Sequence, residues 1–236
     1  MNKFKKATLL FAISLLALSG KTNEFEAGDI AIVSVSSNEP KSFEFLALVN
    51  ISAGTKIYFT DAAWIATEQQ FRDGEGTVCY TAPEDIEAGA TIAWTKEAKH
   101  FDQSGSFELS ASGDNIICFQ NPDEPRFIYG VGWAKNTKGN WEYYDSSSGR
   151  TSTSDIPSKL TTENYTISYL GNLDSYAYCD TALHEGSKAE LLYALSHKDA
   201  FIGDDEQALT INANIFTLSK KDEKTEIEKK EQGNIE

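Results

Sequence analysis

The chain is poor in sulfur, imidazole and cations. It has three cysteines, one methionine and three histidines in 236 residues. No cysteine lies in a C-x-x-C pair and no histidine in a His-Glu-x-x-His pattern, so the common zinc spacings are missing. A G-x-S-x-G elbow, a Walker loop and a dinucleotide glycine fingerprint are missing too. Lys and Arg number 21 against 36 Asp and Glu, a net charge of −15. A protein that held nucleic acid by neutralising phosphates would carry the opposite balance, so nucleic acid is not an expected partner. Only 24% of positions are charged, which excludes a coiled coil or a disordered chain as the main state. No period of 20–50 residues recurs, which removes solenoids and propellers.

What is present is apolar and aromatic. Hydrophobic residues make up 40% and aromatics 11%, enough for the core of one large domain. Residues 1–19 read as a secretory signal: Lys3, Lys5 and Lys6 form a basic head before an apolar run from Ala7 to Leu18. That run is shorter than the roughly 20 residues of a membrane span, and no second one follows. Ala17 and Ser19 place small residues at the −3 and −1 positions, so cleavage is expected before Gly20, and the mature chain is expected to be secreted. Cys79, Cys118 and Cys179 are an odd number for an oxidising compartment. They fit either one disulfide with a free thiol or three small buried apolar residues.

From residue 29 onward, short β-rich runs alternate with Gly, Asn, Asp and Pro. Strands are expected over 30–35, 43–50, 56–60, 77–81, 91–95, 106–110, 115–120, 126–131, 165–170 and 209–218, a pattern of antiparallel sandwiches. Ser187-Lys-Ala-Glu190 has the form of a capping box, and Ala189, Leu192 and Leu195 follow at helical spacing, which predicts one short helix near the C-terminal end. The stretch 134–162 reads as a long surface excursion. Residues 219–236 form a charged tail with little to bury. The body between signal and tail, 20–218, is expected to be a single domain with 13 basic and 30 acidic residues.

Carboxylates dominate the chemistry. Asp61 follows a predicted strand, and Asp73-Gly-Glu-Gly76, Asp123-Glu124 and Asp204-Asp205-Glu206 lie at loop positions. Calcium takes six to eight oxygens from irregular loops, so Asp61, Asp73 and Glu75 are the candidate metal ligands, although the spaced D-x-[DN]-x-[DN]-G loop is absent. His100, His184 and His197 read as surface or turn residues. Trp64, Trp133 and Trp141 lie near turns, and Trp141, Tyr143 and Tyr144 share the long excursion. Aromatic side chains beside polar loops can stack on sugar rings, so these three are candidate ligand-binding residues. Asn50-Ile-Ser52 and Asn164-Tyr-Thr166 are glycosylation sequons, meaningful in a eukaryotic secretory route.

Several motifs resemble secreted bacterial modules similar to lamin-tail domains. They are Phe43-Glu-Phe-Leu-Ala-Leu-Val-Asn50 with Gly54-Thr55, Ile57-Tyr-Phe-Thr-Asp61 and Trp64, then Ile86-Glu-Ala-Gly89 before Thr91-Ile-Ala-Trp94. Leu109-Ser-Ala-Ser-Gly-Asp114 before Asn115-Ile-Ile117 is the most specific of them. The resemblance spans residues 28–201 and implies an all-β, antiparallel immunoglobulin-like sandwich of a non-enzymatic, extracellular kind. At Ser112-Gly-Asp114 the Asp side chain is expected to bond nearby backbone amides, a structural role.

The resulting expectation is a secreted, acidic binding or structural module at the cell surface or in the extracellular matrix, with calcium as a candidate stabiliser and an extracellular protein or glycan as partner. Two alternatives stand beside it: a secreted hydrolase with a noncontiguous carboxylate site, and a carbohydrate-binding module that uses the aromatic excursion.

Overall fold

The computed structural model describes residues 22–134, 141, 154–212 and 215–219. The expected signal segment and nearly all of the tail lie outside them. Among the described residues the strands are β1 (Ile30–Ser36), β2 (Ser42–Ala47), β3 (Lys56–Thr60), β4 (Trp64–Ile65), β5 (Gln70–Phe71), β6 (Gly76–Thr81), β7 (Thr91–Thr95) and β8 (Phe101–Gly105). They continue with β9 (Gly113–Gln120), β10 (Arg126–Ala134), β11 (Ile167–Tyr169), β12 (Ser175–Tyr178), β13 (Glu185–Gly186), β14 (Phe201–Asp204) and β15 (Thr217–Leu218). One α-helix, α1 (Lys188–Leu195), interrupts them. No helix among the described residues is long and apolar enough to cross a membrane.

Two sheets make the sandwich. Sheet one runs β14-β12-β1-β2-β7 and sheet two runs β11-β10-β9-β3-β6-β8. All pairings within them are antiparallel except β10 with β11. The segments β1-β2-β7 and β10-β9-β3-β6 reproduce the A-B-E and G-F-C-C′ orders of immunoglobulin-like folds. The additions are β12 and β14 beyond β1, β11 beyond β10, and β8 beyond β6.

Period-two alternation builds the core between the sheets. Phe43 and Phe45 leave sheet one on the same face, and each ring centre lies 4.9 Å from that of Phe59 on sheet two. Tyr80 meets Phe45 at 5.4 Å, and Trp94 stacks on Phe43 at 5.4 Å. Such pairs add about 0.5–1.5 kcal/mol each beyond the area they bury. Residues of opposite parity on β9 and β10 point the other way, where Ile117, Phe119 and Phe127 form a second apolar cluster with Trp64, Leu160 and Ile167. A register shift between Phe127 and Tyr129 puts Phe127 in this outer cluster, while Tyr129 and Val131 join the central core. Sheet two is therefore buried on both faces near β9.

The helix begins as expected. The Ser187 side chain accepts from the Glu190 N–H, the Glu190 carboxylate accepts from the Ser187 N–H at 2.8 Å, and Leu191, Leu192 and Leu195 are buried. Two expected strands are corrected. Residues 106–110 alternate in burial, with Phe107 and Leu109 inside, but they form no ladder. The β-strand lies just before them, at β8. The expected strand 209–218 survives only as β15. Its start is instead a strap on the outer face of sheet one, where the Leu209 N–H donates to Ser175 Oγ at 2.7 Å and Ile211 is buried. The strands β12 and β14 arise where no strand was expected.

Under the strap lies Glu44, which faces away from Phe43 and Phe45 and is 7% exposed. Burial pushes its carboxyl up from 4.5 to about 7, and a backbone hydrogen bond from Ile211 offsets part of that. An acid raised in the folded state binds its proton more tightly there than in the unfolded chain. Stability is therefore undiminished below the unfolded value of 4.5 and is lost as pH rises toward 7. Urea unfolding measured across this range is expected to lose about 2–3 kcal/mol through Glu44, and Glu44→Gln is expected to flatten that portion of the profile.

Candidate functional site

Three acidic residues, Asp61, Glu75 and Asp114, lie at one end of β3, β6 and β9. Asp61 follows β3 and is 4% exposed. Its Oδ1 accepts the Gly76 N–H at 2.9 Å and its Oδ2 accepts the Glu108 N–H at 2.7 Å. The neighbouring Thr60 hydroxyl donates to the Gly76 carbonyl at 2.5 Å. Gly76 is required there, because a Cβ on it would come within 2.0 Å of the Phe107 nitrogen. One residue thus pins the start of β6 and the connection 106–110, which is why that connection has no ladder: its Glu108 N–H goes to a carboxylate.

Asp114 does the same for the Leu109–Asp114 turn. Its two oxygens accept the Ser110 and Asn115 N–H groups, each at 2.9 Å, in the structural role expected for it. The Trp133 indole donates to the Ser110 carbonyl at 3.0 Å and ties this turn to β10. Burial raises the pKa of both acids. For Asp61 the backbone donors and the nearby Arg72 oppose the shift, while for Asp114 the Asp61 charge adds to it and the result lies well above the ordinary value.

The other two candidate metal ligands do not join Asp61. Glu75 is ion-paired with Arg72, and Asp73 is exposed at the tip of the turn between β5 and β6. Among the described residues no group of three or more His, Cys, Asp or Glu is arranged to hold a metal ion. Asp204 accepts the Glu206 and Gln207 N–H groups, both at 2.7 Å, and so closes its own turn. Of the histidines, His100 and His197 are exposed, and His184 packs between Tyr178 and Phe216. All three cysteines are free thiols; Cys118 is buried, which pushes its pKa up.

Trp141 is an anchor in the structure. It is half-buried, its indole N–H donates to the Ser168 carbonyl at 2.9 Å, and its ring covers Gly130, where a Cβ would lie 2.8 Å from it. Tyr143 and Tyr144 lie outside the described residues. Trp64 and Trp133 are core residues, 3% and 1% exposed.

An aromatic platform does appear, at a residue that the sequence reading passed over. Tyr58 lies on the outer face of β3, half-buried, stacked on Phe119 with ring centres 5.5 Å apart. It floors a hollow of about 380 Å³ whose walls include Lys56, Gln120, Asn121 and Arg126. One wall is the segment 22–24. The Gln120 side chain accepts the Phe25 N–H at 2.9 Å and donates to the Asn23 carbonyl at 3.1 Å, and Asn23 Oδ1 accepts the Ser52 N–H. Glu24 on that wall meets Arg126 at 3.1 Å. The usable signal was a Tyr at the outward parity of β3, between the inward-facing Ile57 and Phe59. A different hollow, of about 370 Å³, opens beside Trp94 and Phe107, but these rings are 4% and 2% exposed and offer a ligand little surface.

No family model, no curated protein and no solved structure matches this chain. The likeness to lamin-tail modules therefore rests on the sequence motifs given above.

The carboxylate arrangement makes a prediction. Hydrogen bonds to a charged acceptor contribute about 1.5–3 kcal/mol each. Asp61→Asn leaves only one acceptor oxygen for two backbone donors and is expected to destabilise the fold by about 2–4 kcal/mol in urea unfolding. Asp73→Asn, at the exposed turn tip, is expected to change stability by less than about 0.5 kcal/mol.

Proposed function

We propose that this chain is an exported, acidic β-sandwich module that binds an extracellular glycan or protein and leaves it chemically unchanged. The observation that carries this reading is the use to which the buried carboxylates are put. Asp61 and Asp114, the acids best placed by burial to act as a general acid and base, each accept two backbone N–H groups and hold strand ends together. Catalytic acids must face a substrate and exchange protons with it. These oxygens face the protein's own amides. The outer face of sheet two, by contrast, presents an aromatic ring, side-chain amides and cations around one hollow, the groups that recognise polar ligands.

A specific observation keeps the hydrolase alternative in view: both carboxyls are raised, and Asp114 is raised partly by the Asp61 charge, a relation also found in acid–base pairs. One experiment separates the readings. The purified chain is applied to a panel of immobilised extracellular glycans and matrix proteins, and captured ligands are weighed by mass spectrometry before and after prolonged incubation. Ligand recovered intact is the expected result. Cleavage products that disappear with Asp61→Asn, in protein shown to be folded, would establish the hydrolase instead.

A further inference from the structure

We propose that the hollow over Tyr58 is a binding site for an oligosaccharide that carries isolated carboxylate groups, a ligand class that deepens the binding reading above and rests on it. Three observations converge there. Tyr58 supplies a partly exposed ring stacked on its cross-strand neighbour Phe119, an aromatic surface of the kind on which the apolar face of a pyranose stacks. Lys56 and Arg126 stand on its walls, and a guanidinium binds a carboxylate through two parallel hydrogen bonds. Asn121, on the turn between β9 and β10, adds an exposed amide for sugar hydroxyls.

The site is longer than one sugar. Asn121 and Arg126 also line an adjoining hollow of about 200 Å³ that runs to Ser158 and Lys159, so the two form one groove with Arg126 at its middle. Three cations thus lie along a groove that Glu24 and Glu124 also line, on a body that has 13 basic against 30 acidic residues. The same acidity selects the ligand. A dense polyanion such as a sulfated polymer or a nucleic acid would be repelled along its length, whereas a sugar chain with one carboxylate at Arg126 meets its partner locally and repulsion elsewhere is screened by salt.

The walls are built in advance. Gln120 staples the segment 22–25 alongside β3, and Glu24 on that segment holds Arg126 in place. Glu24 is mostly exposed, so its pairing with Arg126 adds little net stability, and a ligand carboxylate can take its place. Glu24 is then a competitor for Arg126 as well as its support.

The test is calorimetric titration of the full chain with a galactose tetramer in which one residue is galacturonic acid and with the matching neutral galactose tetramer. The acidic tetramer is expected to bind more tightly by tenfold or more. Arg126→Gln is expected to remove that preference while its melting temperature stays unchanged, and Arg126→Lys to restore part of it. Tyr58→Ala is expected to weaken both tetramers at least tenfold. Glu24→Gln is expected to strengthen the acidic tetramer severalfold and leave the neutral one unaffected, a gain that a merely structural role for Glu24 would not produce. Equal binding of the two tetramers, or acidic binding indifferent to Arg126→Gln in folded protein, would overturn the proposal. Absence of binding to either would also overturn the site and leave the non-catalytic reading standing. A bound tetramer that is cleaved during the titration would support the groove and overturn the non-catalytic reading.

Discussion

Burial of sheet two on both faces is the constraint from which most of the molecule follows. In an ordinary sandwich the outer face of each sheet meets water, and its strands alternate apolar and polar residues. On β9, Ile116 and Cys118 face the central core while Ile117 and Phe119 face a second apolar cluster. That second cluster needs a cover, which the chain provides from two distant excursions. Trp64 and Phe71 come from β4 and β5, and Leu160 and Trp141 come from the connection between β10 and β11. The two excursions are bonded to each other: the Trp64 N–H donates to Ser154 Oγ and the Ala66 N–H donates to the Asp155 carboxylate.

A doubly covered sheet leaves its strand ends without water for their backbone amides, and an unpartnered buried N–H costs about 1–3 kcal/mol. Asp61 and Asp114 answer that need at one end of β3, β6 and β9. The cover also has a margin. It passes over Phe119 and Phe127 but leaves Tyr58 only half-buried, and the turn between β9 and β10 rises beside it with Asn121 and Arg126. Clamp and groove are therefore two consequences of the same layering, one where the cover closes on the strand ends and one where it stops.

Much of this was legible in the sequence wherever one local signal decided the outcome. The bounds of β3 and β7 match the expected strands, and the capping box at Ser187 and Glu190 formed as written. Reading failed where a long-range partner decided. Residues 106–110 alternate like a strand, yet Asp61 takes the Glu108 N–H that a neighbouring strand would have used. The alternating run after Leu209 bonds to side chains of sheet one instead of joining an edge. Ser175–Tyr178 is a buried central strand of sheet one, but four residues with two tyrosines give a weak pattern. Among the candidate ligands, Asp61 and Asp73 are twelve positions apart and chemically alike. Nothing local reveals that one ends buried on the Gly76 and Glu108 amides and the other at an exposed turn tip. Trp141 was conspicuous for its polar neighbours, whereas its docking on Gly130 depends on the register of β10.

The same layering separates two kinds of charge. Glu44, Asp61 and Asp114 are acids that burial has raised, and each ionises at a cost to the fold as pH rises. Their effects share one sign, so the interior favours the acidic side of neutrality. Lys56, Arg126 and Lys159, by contrast, lie at the surface groove. A sugar carboxylate, with an ordinary value near about 3.5–4, is ionised well before Glu44, at about 7, gives up its proton. Between these two values a ligand of the proposed class would carry its charge while the strap over Glu44 still covers a neutral group. The proposed recognition of an ionised sugar and a fold that favours mild acid are therefore compatible over about three pH units, and they diverge only above neutrality, where the strap begins to cover a charge.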